Sequence, residues 1–166
     1  MNSEYDNQLK EVFSLTEKRK YLDAHELVDQ VLESNPNWYK PYDQKAKVYA
    51  RQGKWAEAVE SVGDAIELEP KNSALYFSRA RWLIQCELFS DAYNDLTQII
   101  SLESILSDSY YLESAYFFRA LTSSYLGNYR DVILNCEYVR DDYVTHILKK
   151  LHSKKELLEN AKRNIN

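Results

Sequence analysis

The chain has 166 residues and a formal net charge of −5, a length that suits one domain with a sizeable buried core. The negative charge disfavours nonspecific binding to nucleic acid. The polar, acidic N-terminus does not read as a secretory signal, and the absence of a long apolar run argues against a membrane span. We therefore expect a cytoplasmic protein. The low number of turn residues, three glycines and three prolines, is typical of an all-helical chain.

The first part of the chain predicts two helices, over residues 7–18 and 21–34. In the first helix, apolar residues recur at helical spacing and are expected to face inward: Leu9, Val12, Phe13 and Leu15. A turn is predicted at Asn35-Pro36-Asn37. Pro41 then suits the first turn of the next helix, where its missing N–H costs nothing.

The most regular stretch of the sequence runs from Tyr42 to Pro70. It predicts two amphipathic helices joined by a tight turn at Gly53. Gly53 can take the left-handed conformation that ends a helix, and Pro70 cannot continue one. Small side chains on both helices allow a close approach: Ala46, Ala58 and Ala65.

The apolar pattern of this stretch returns along the chain with a period of about 34 residues. A later copy is carried by Tyr76, Ala80, Leu83, Phe89, Ala92, Leu96, Ile99 and Leu102, and an earlier one by Tyr21, Ala24, Val28, Val31 and Pro36. A fourth copy follows six extra residues and is carried by Tyr116, Ala120, Gly127, Tyr129, Val132, Cys136 and Val139. Because an internal repeat of this length determines the type of fold, we base the fold prediction on the repeat.

Four copies with this spacing resemble the tetratricopeptide-repeat family over roughly residues 5–142. The resemblance implies a single all-α domain over residues 1–166, a right-handed solenoid of about four helical hairpins followed by a cap. The implied repeats cover residues 5–38, 39–72, 73–106 and 113–142, with the cap over 143–166. The chain departs from the family where leucine is usual, because that position holds Lys45, Arg79 and Arg119.

The second half of the chain predicts helices over residues 74–86, from Ser90 onward, and over 112–126 and 129–140. Between them, residues 101–111 contain the six extra residues, which we expect to extend a helix or to form a serine-rich loop. A loop that breaks a repeat often lies on a binding face.

The predicted cap has two parts. A short amphipathic stretch is indicated by Val144, Ile147, Leu148 and Leu151. Ser153 and Glu156 then have the spacing of a capping box and predict the start of a final helix. Such a helix would cover the apolar face that the last repeat leaves open.

Partner-binding residues are predicted from the resemblance, which implies that the first helix of each repeat lines a concave groove. Side chains there that are not needed for packing are Lys40, Gln44, Lys47, Arg51, Phe77, Ser78, Arg81, Gln85, Phe117, Phe118 and Tyr125. A groove with basic and aromatic side chains suits an acidic peptide or an acidic protein surface. Two alternatives stay open: the cap could cover Phe117 and Phe118, and neighbouring acids could pair with Lys40, Lys47 and Arg51.

One mechanism known in the family is the two-carboxylate clamp, in which Lys, Asn and Arg side chains of co-chaperones hold the acidic C-terminus of a heat-shock protein. At the matching positions this chain has Leu9, Phe13, Gln44, Ala74 and Ser78. A frame shifted by one repeat gives Asp43, Lys47, Ser78, Ser114 and Phe118. Neither frame supplies the clamp, so an adaptor of that kind is disfavoured.

The sequence offers no catalytic or metal-binding motif. The histidines His25, His146 and His152 lack a nucleophile or a second ligand at a recognisable spacing, and Cys86 and Cys136 are expected to be reduced thiols. We therefore predict a protein without enzymatic activity, metal or cofactor that binds another protein or an acidic peptide. Two alternatives are a bacterial immunity-type antagonist of a toxin and a homodimerising module, although a monomer is slightly favoured.

Overall fold

The computed structural model describes residues 2–105 and 109–165, and the chain forms two compact units, Met1–Leu75 and Tyr76–Asn166. The first unit contains α1 (Asn2–Glu17), α2 (Tyr21–Ser34), α3 (Tyr39–Arg51), α4 (Trp55–Leu68) and the start of α5 (Ser73–Gln85). The second contains the rest of α5, α6 (Phe89–Glu103), α7 (Leu112–Tyr125), α8 (Tyr129–Cys136), β1 (Val144–Ile147), β2 (Lys150–Ser153) and α9 (Lys154–Asn164). None of the helices in the described ranges has the length and apolar character needed to cross a membrane.

The helix bounds agree closely with the predicted hairpins. Helix α2 covers the predicted residues without a shift, whereas α1 begins earlier than predicted and α8 ends at Cys136 rather than at residue 140. In the extra segment, α6 continues to Glu103, whose Oε2 accepts a hydrogen bond from the Tyr111 backbone N–H at 2.7 Å. Residues 104–105 form a turn and residues 110–111 a bend, and the part of that prediction on residues 106–108 lies outside the described residues.

Four helical hairpins in the described part of the chain turn in the same way. In each, the residue directly after the two-residue turn donates its N–H to the carbonyl five residues earlier: Lys20 to Leu15, Lys54 to Tyr49, Leu88 to Leu83 and Asn128 to Ser123, at 2.9–3.0 Å. The residue before each donor has a positive φ: 58° for Arg19, 75° for Gly53, 59° for Glu87 and 75° for Gly127. Glycine is preferred at the left-handed residue that ends a helix in this way. Gly53 and Gly127 therefore mark the turn in the sequence, whereas Arg19 and Glu87 do not.

Replacing Arg19 or Glu87 with glycine should therefore raise the free energy of unfolding by about 1 kcal/mol each, because L-residues are disfavoured in the left-handed region. Urea unfolding followed by circular dichroism measures the change. The matched reverse substitution is Gly53→Ala, since no atom lies within 4 Å of the added Cβ and only the backbone conformation opposes it. A destabilising Glu87→Gly would contradict the shared turn.

At the position where leucine is usual, a charged side chain pairs with a polar side chain of a neighbouring helix, which precedes it for Lys45 and follows it for Arg79 and Arg119. Lys45 Nζ lies 2.8 Å from Asp29 Oδ1 in the first unit. In the second unit the Arg79 guanidinium binds both carboxylate oxygens of Asp95, at 2.8 and 2.7 Å. There Arg119 Nε donates to Asn135 Oδ1 at 2.7 Å. The departure from the family pattern is thus compensated by a hydrogen-bonding partner on a neighbouring helix.

The first part of the predicted cap is wrong, because residues 144–153 form an antiparallel β-hairpin rather than a helical stretch. Strands place alternate residues on opposite faces, and here Ile147 and His152 are buried while Val144 and Leu151 are exposed. The β-branched residues of β1 also favour a strand. The second part of the prediction is confirmed: Ser153 caps α9, and its Oγ accepts from the Glu156 N–H at 3.2 Å.

Candidate partner-binding site

The first unit carries an open cleft between α1 and α3. Its volume is about 520 Å³, and its lining residues are Asp6, Leu9, Lys10, Phe13, Tyr39, Lys40, Asp43 and Gln44. On both helices the side chains at the surface recur every three or four residues, so that they follow one face. The cleft therefore includes two predicted contact residues, Lys40 and Gln44, and Lys47 and Arg51 follow on the same face of α3.

The bases of this surface are paired with acids of the same unit. Lys40 Nζ lies 3.3 Å from Asp6 Oδ1 and above the Trp38 ring, 5.3 Å from its centroid. Lys47 Nζ lies 2.6 Å from an Asp43 carboxylate oxygen. Arg51 Nη2 lies 2.8 Å from Glu17 Oε1. Neighbouring acids therefore pair with the predicted bases on this surface, which was one of the two alternatives. An exposed ion pair of this kind contributes only about 0–1 kcal/mol to the free energy of unfolding.

Phe13 corrects the sequence prediction for α1. We expected it to face inward, but its side chain is 55% exposed and lines the cleft. The buried ridge of α1 passes instead through Leu9, Val12 and Thr16, and the Thr16 hydroxyl donates to the Val12 carbonyl at 2.7 Å. Val12 and Phe13 are adjacent and therefore point about 100° apart around the helix, and on α1 it is Val12 that takes the buried position. Phe13 is the functional candidate that sequence reasoning missed.

In the second unit, α5 brings together an aromatic and a basic contact candidate. The Arg81 guanidinium carbon lies 6.0 Å from the centroid of the Phe77 ring. The same ring packs 4.9 Å from Tyr111 and 5.7 Å from Phe118. Arg81 is exposed, whereas Ser78 and Gln85 are half-buried. The contact role of these four α5 residues stays a prediction.

Two of the predicted contact residues on α7 are inaccessible in this structure. Phe117 is fully buried and Phe118 is 3% exposed. The Tyr143 ring, which precedes β1, stacks on Phe117 with a centroid distance of 4.6 Å. Tyr143, from the segment after the last hairpin, thus covers Phe117, whereas the Phe118 ring packs against Phe77 and Phe117. We remove both phenylalanines from the candidate surface. Tyr125 remains 47% exposed, with its ring stacked on Phe89 at 4.3 Å.

The side chains suited to metal binding do not converge among the residues that the structure describes. Within residues 2–105 and 109–165, no group of three or more His, Cys, Asp and Glu side chains is placed to hold a metal ion. Burial raises the pKa of the Cys136 thiol to about 11, which keeps it protonated and unreactive near neutral pH. Burial also lowers the pKa of His25, whose Nε2 lies 2.8 Å from Gln52 Nε2.

Comparison with solved structures identifies the type of fold. No protein-family profile matches the chain, and no curated protein matches it either. Among solved structures, the TPR-like repeats of a putative kinesin light chain from Podospora anserina superpose with a TM-score of 0.71 at 15% identity, over 98% of this chain and 86% of that one. The chain has the all-α tetratricopeptide-repeat fold. The family resemblance is thus confirmed at the level of the fold.

Two further similar structures hold a bound peptide. The first TPR of Spaghetti (RPAP3), bound to the HSP90 peptide SRMEEVD, has a TM-score of 0.61 at 18% identity, covering 72% of this chain and 92% of that one. The Yersinia enterocolitica type III secretion chaperone SycD, in complex with a peptide of the translocator YopD, has a TM-score of 0.64 at 15% identity, covering 74% and 94%. In the repeat frame predicted from the sequence, α1 and α3 are the first helices of successive repeats.

Proposed function

We propose that this chain is a non-catalytic binding module that holds a segment of a partner protein against the α1–α3 cleft. The observation that carries the proposal is Phe13, an aromatic side chain that is more than half exposed in a cleft bordered by charged residues. Aromatic side chains that lie in concave surfaces are frequent anchors of protein–protein contacts. The peptide-bound RPAP3 and SycD structures support the same kind of function for the fold.

The chemistry of the cleft favours a partner segment with an apolar residue flanked by acids. The apolar residue would pack on Phe13 and the half-buried Tyr39. The acids would compete with Asp6 and Glu17 for Lys40 and Arg51, and exposed ion pairs are weak enough to be exchanged at little cost. Binding should therefore weaken at high salt, because the new charge pairs are screened while the apolar contact is retained.

A matched pair of variants tests the site. Peptides selected from a random display library on the wild-type chain are titrated by fluorescence anisotropy against Phe13→Asp and Leu22→Asp. Leu22 is 80% exposed on α2 and does not line the cleft. We expect Phe13→Asp to lose at least about ten-fold in affinity and Leu22→Asp to bind like the wild type.

Two results would contradict this proposal. Equal binding by Phe13→Asp would place the partner elsewhere, and selected peptides without an apolar residue would remove the anchor. Circular dichroism of both variants establishes that they remain folded. Light scattering of the free chain at the concentrations used separates partner binding from self-association.

A further inference from the structure

The segment after the last helical hairpin lies against α7 as a cap that contains β1, β2 and α9. The Tyr143 ring, directly before β1, stacks on Phe117 of α7 with a centroid distance of 4.6 Å. Farther along the same helix, Asn160 Nδ2 of α9 donates to Ser124 Oγ at 3.2 Å. The cap therefore covers the face of α7 that carries Phe117 and, one helical turn later, Leu121, and both side chains are buried.

The contact between the cap and α7 is incomplete. An open gap of about 380 Å³ lies among α7, β2 and α9, and its lining includes Leu121 of α7 and Leu157 of α9. Side chains that border an unfilled space lose packing contacts on that side. Docking of the cap on α7 therefore depends on the contacts beside the gap.

The β-hairpin of the cap has an unfavourable turn. Ile147 pairs with Lys150, so the two-residue turn consists of Leu148 and Lys149. Both residues have a positive φ, 53° and 59°, a conformation that glycine and asparagine adopt more easily than leucine and lysine. Even with a favourable turn, an isolated two-stranded hairpin is only marginally stable in water. The hairpin therefore depends on its contacts with the neighbouring helices.

His152 of β2 makes these contacts sensitive to protonation. The residue is 4% exposed, and its Nε2 has no hydrogen-bond partner among the described residues. Both nitrogens of a protonated imidazole carry a hydrogen. Protonation in the capped structure would therefore create a buried, charged donor at Nε2 without an acceptor, which is costly. Detachment of the cap removes this cost, because water then solvates the ring.

The groups around His152 do not offset the cost of protonation. Burial lowers the pKa of the ring, and Lys150 lowers it further. Glu156 and a backbone hydrogen bond at Ile147 act in the opposite direction, but the Glu156 carboxylate is already paired with Lys150 Nζ at 2.5 Å. The other titratable groups near the ring come from β1, α7 and α9: His146, Tyr125, Glu159 and Arg163.

The docked cap thus binds a proton less tightly than the detached cap. Its docking is most stable above pH 6.5, the ordinary pKa of histidine, and weakens as pH falls from there through the lowered pKa of the buried ring.

We propose that the cap is a pH-dependent cover of α7, in which protonation of His152 raises the fraction of molecules with a detached cap and an exposed Phe117 and Leu121. Tyr125 follows Leu121 by one further turn and is already 47% exposed, so detachment would open a continuous apolar ridge on α7. This device is independent of the proposed protein-binding cleft, whose lining residues all belong to the first unit.

Hydrogen–deuterium exchange of the full-length chain tests the proposal, because amide protection reports the fraction of molecules in which a segment is open. Protection factors, which correct for the intrinsic pH dependence of exchange, are compared at pH 7 and pH 5 for peptides of the cap. We expect the cap to lose at least about five-fold and at most about thirty-fold of its protection. The upper value follows from the 1.5 pH units between pH 5 and an ordinary histidine pKa of 6.5.

Two variants of the β-hairpin isolate the contribution of His152. His152→Gln keeps a polar side chain that cannot be protonated, and His146→Gln removes the exposed histidine of β1. We expect the cap of His152→Gln to have the same protection at both pH values and the cap of His146→Gln to behave like the wild type. Any pH-dependent loss of protection in α2, which carries His25, should be equal in the three proteins.

Two results would overturn the proposal: cap protection that does not change between pH 7 and pH 5, or an equal loss of protection in His152→Gln. If His152→Gln does not fold, the His152 ring of the wild type is titrated by nuclear magnetic resonance. A measured pKa of 6.5 or above would then overturn the proposal, whereas a lower pKa with a loss of cap protection that follows the titration of the ring supports it.

Discussion

Replacing Arg79 with leucine should lower the free energy of unfolding by about 3–5 kcal/mol, the usual cost of breaking a buried ion pair by removing one partner. The guanidinium holds both carboxylate oxygens of Asp95 at 2.8 and 2.7 Å, and the Asp95 side chain is 7% exposed. Leucine is the residue that the family usually has at this position, so the loss would come from the stranded carboxylate and not from poor packing.

The equivalent residues of the other repeats provide graded controls. Asp29, the partner of Lys45, is 49% exposed, so Lys45→Leu should cost less than about 1 kcal/mol. Arg119 binds the neutral but buried Asn135, and its loss should cost about 1–3 kcal/mol. Urea unfolding of the three variants should therefore rank Arg79→Leu first, Arg119→Leu second and Lys45→Leu third. Equal losses would show that burial of the partner does not set the cost.

The cost of Arg79→Leu should also depend on pH. Burial raises the pKa of Asp95 above its ordinary value near 3.8, although Arg79 opposes that rise. Without Arg79 the pKa of the carboxyl rises further, so the folded variant binds its proton more tightly than the unfolded chain. Stability is then lost as pH rises from about 3.8 through the raised pKa, and it is regained as pH falls. The difference in the free energy of unfolding between the variant and the wild type should shrink between pH 7 and pH 4.

Adding Asp95→Leu to Arg79→Leu should restore most of the stability at pH 7, because an apolar pair of similar volume replaces a buried ion pair at little cost.

The hairpins could be predicted from the sequence because their apolar faces repeat with one period. Gly53 and Gly127 also show the turn directly. Arg19 and Glu87 adopt the same left-handed backbone without glycine, so only the repeat frame could have located those turns. The β-hairpin was missed because Val144, Ile147 and Leu151 also fit helical spacing, and a short apolar run does not distinguish the two structures.

The candidate site was predicted less well, since it depends on contacts between helices that are distant in sequence. The pairs Asp6–Lys40 and Glu17–Arg51 each join residues one repeat apart. An acid placed one period before a base was therefore a usable signal that the predicted basic surface would be neutralised. Nothing comparable marks Phe117, because its cover, Tyr143, comes from outside the repeats.

Replacing Phe117 with alanine should lower the free energy of unfolding by about 3–5 kcal/mol, the usual cost of truncating a buried phenylalanine. Its ring is fully buried, stacked on Tyr143 at 4.6 Å and in edge-to-face contact with Phe118 at 5.9 Å. The Tyr143 hydroxyl is itself hydrogen-bonded to Ser114 Oγ at 2.9 Å, which limits how far the ring can move to fill the cavity.

Phe13→Ala is the matched control, because it removes the same atoms from a side chain that is 55% exposed. It should cost less than about 1 kcal/mol, since surface substitutions of this kind have small effects, yet it should weaken binding of a selected peptide. The two phenylalanines therefore separate stability from binding: Phe117→Ala unfolds at lower urea, and Phe13→Ala loses affinity. The opposite pattern, with a stable Phe117→Ala that no longer binds peptide, would mean that Tyr143 leaves Phe117 in solution. The phenylalanines of α7 would then form a contact surface, as the sequence alone suggested.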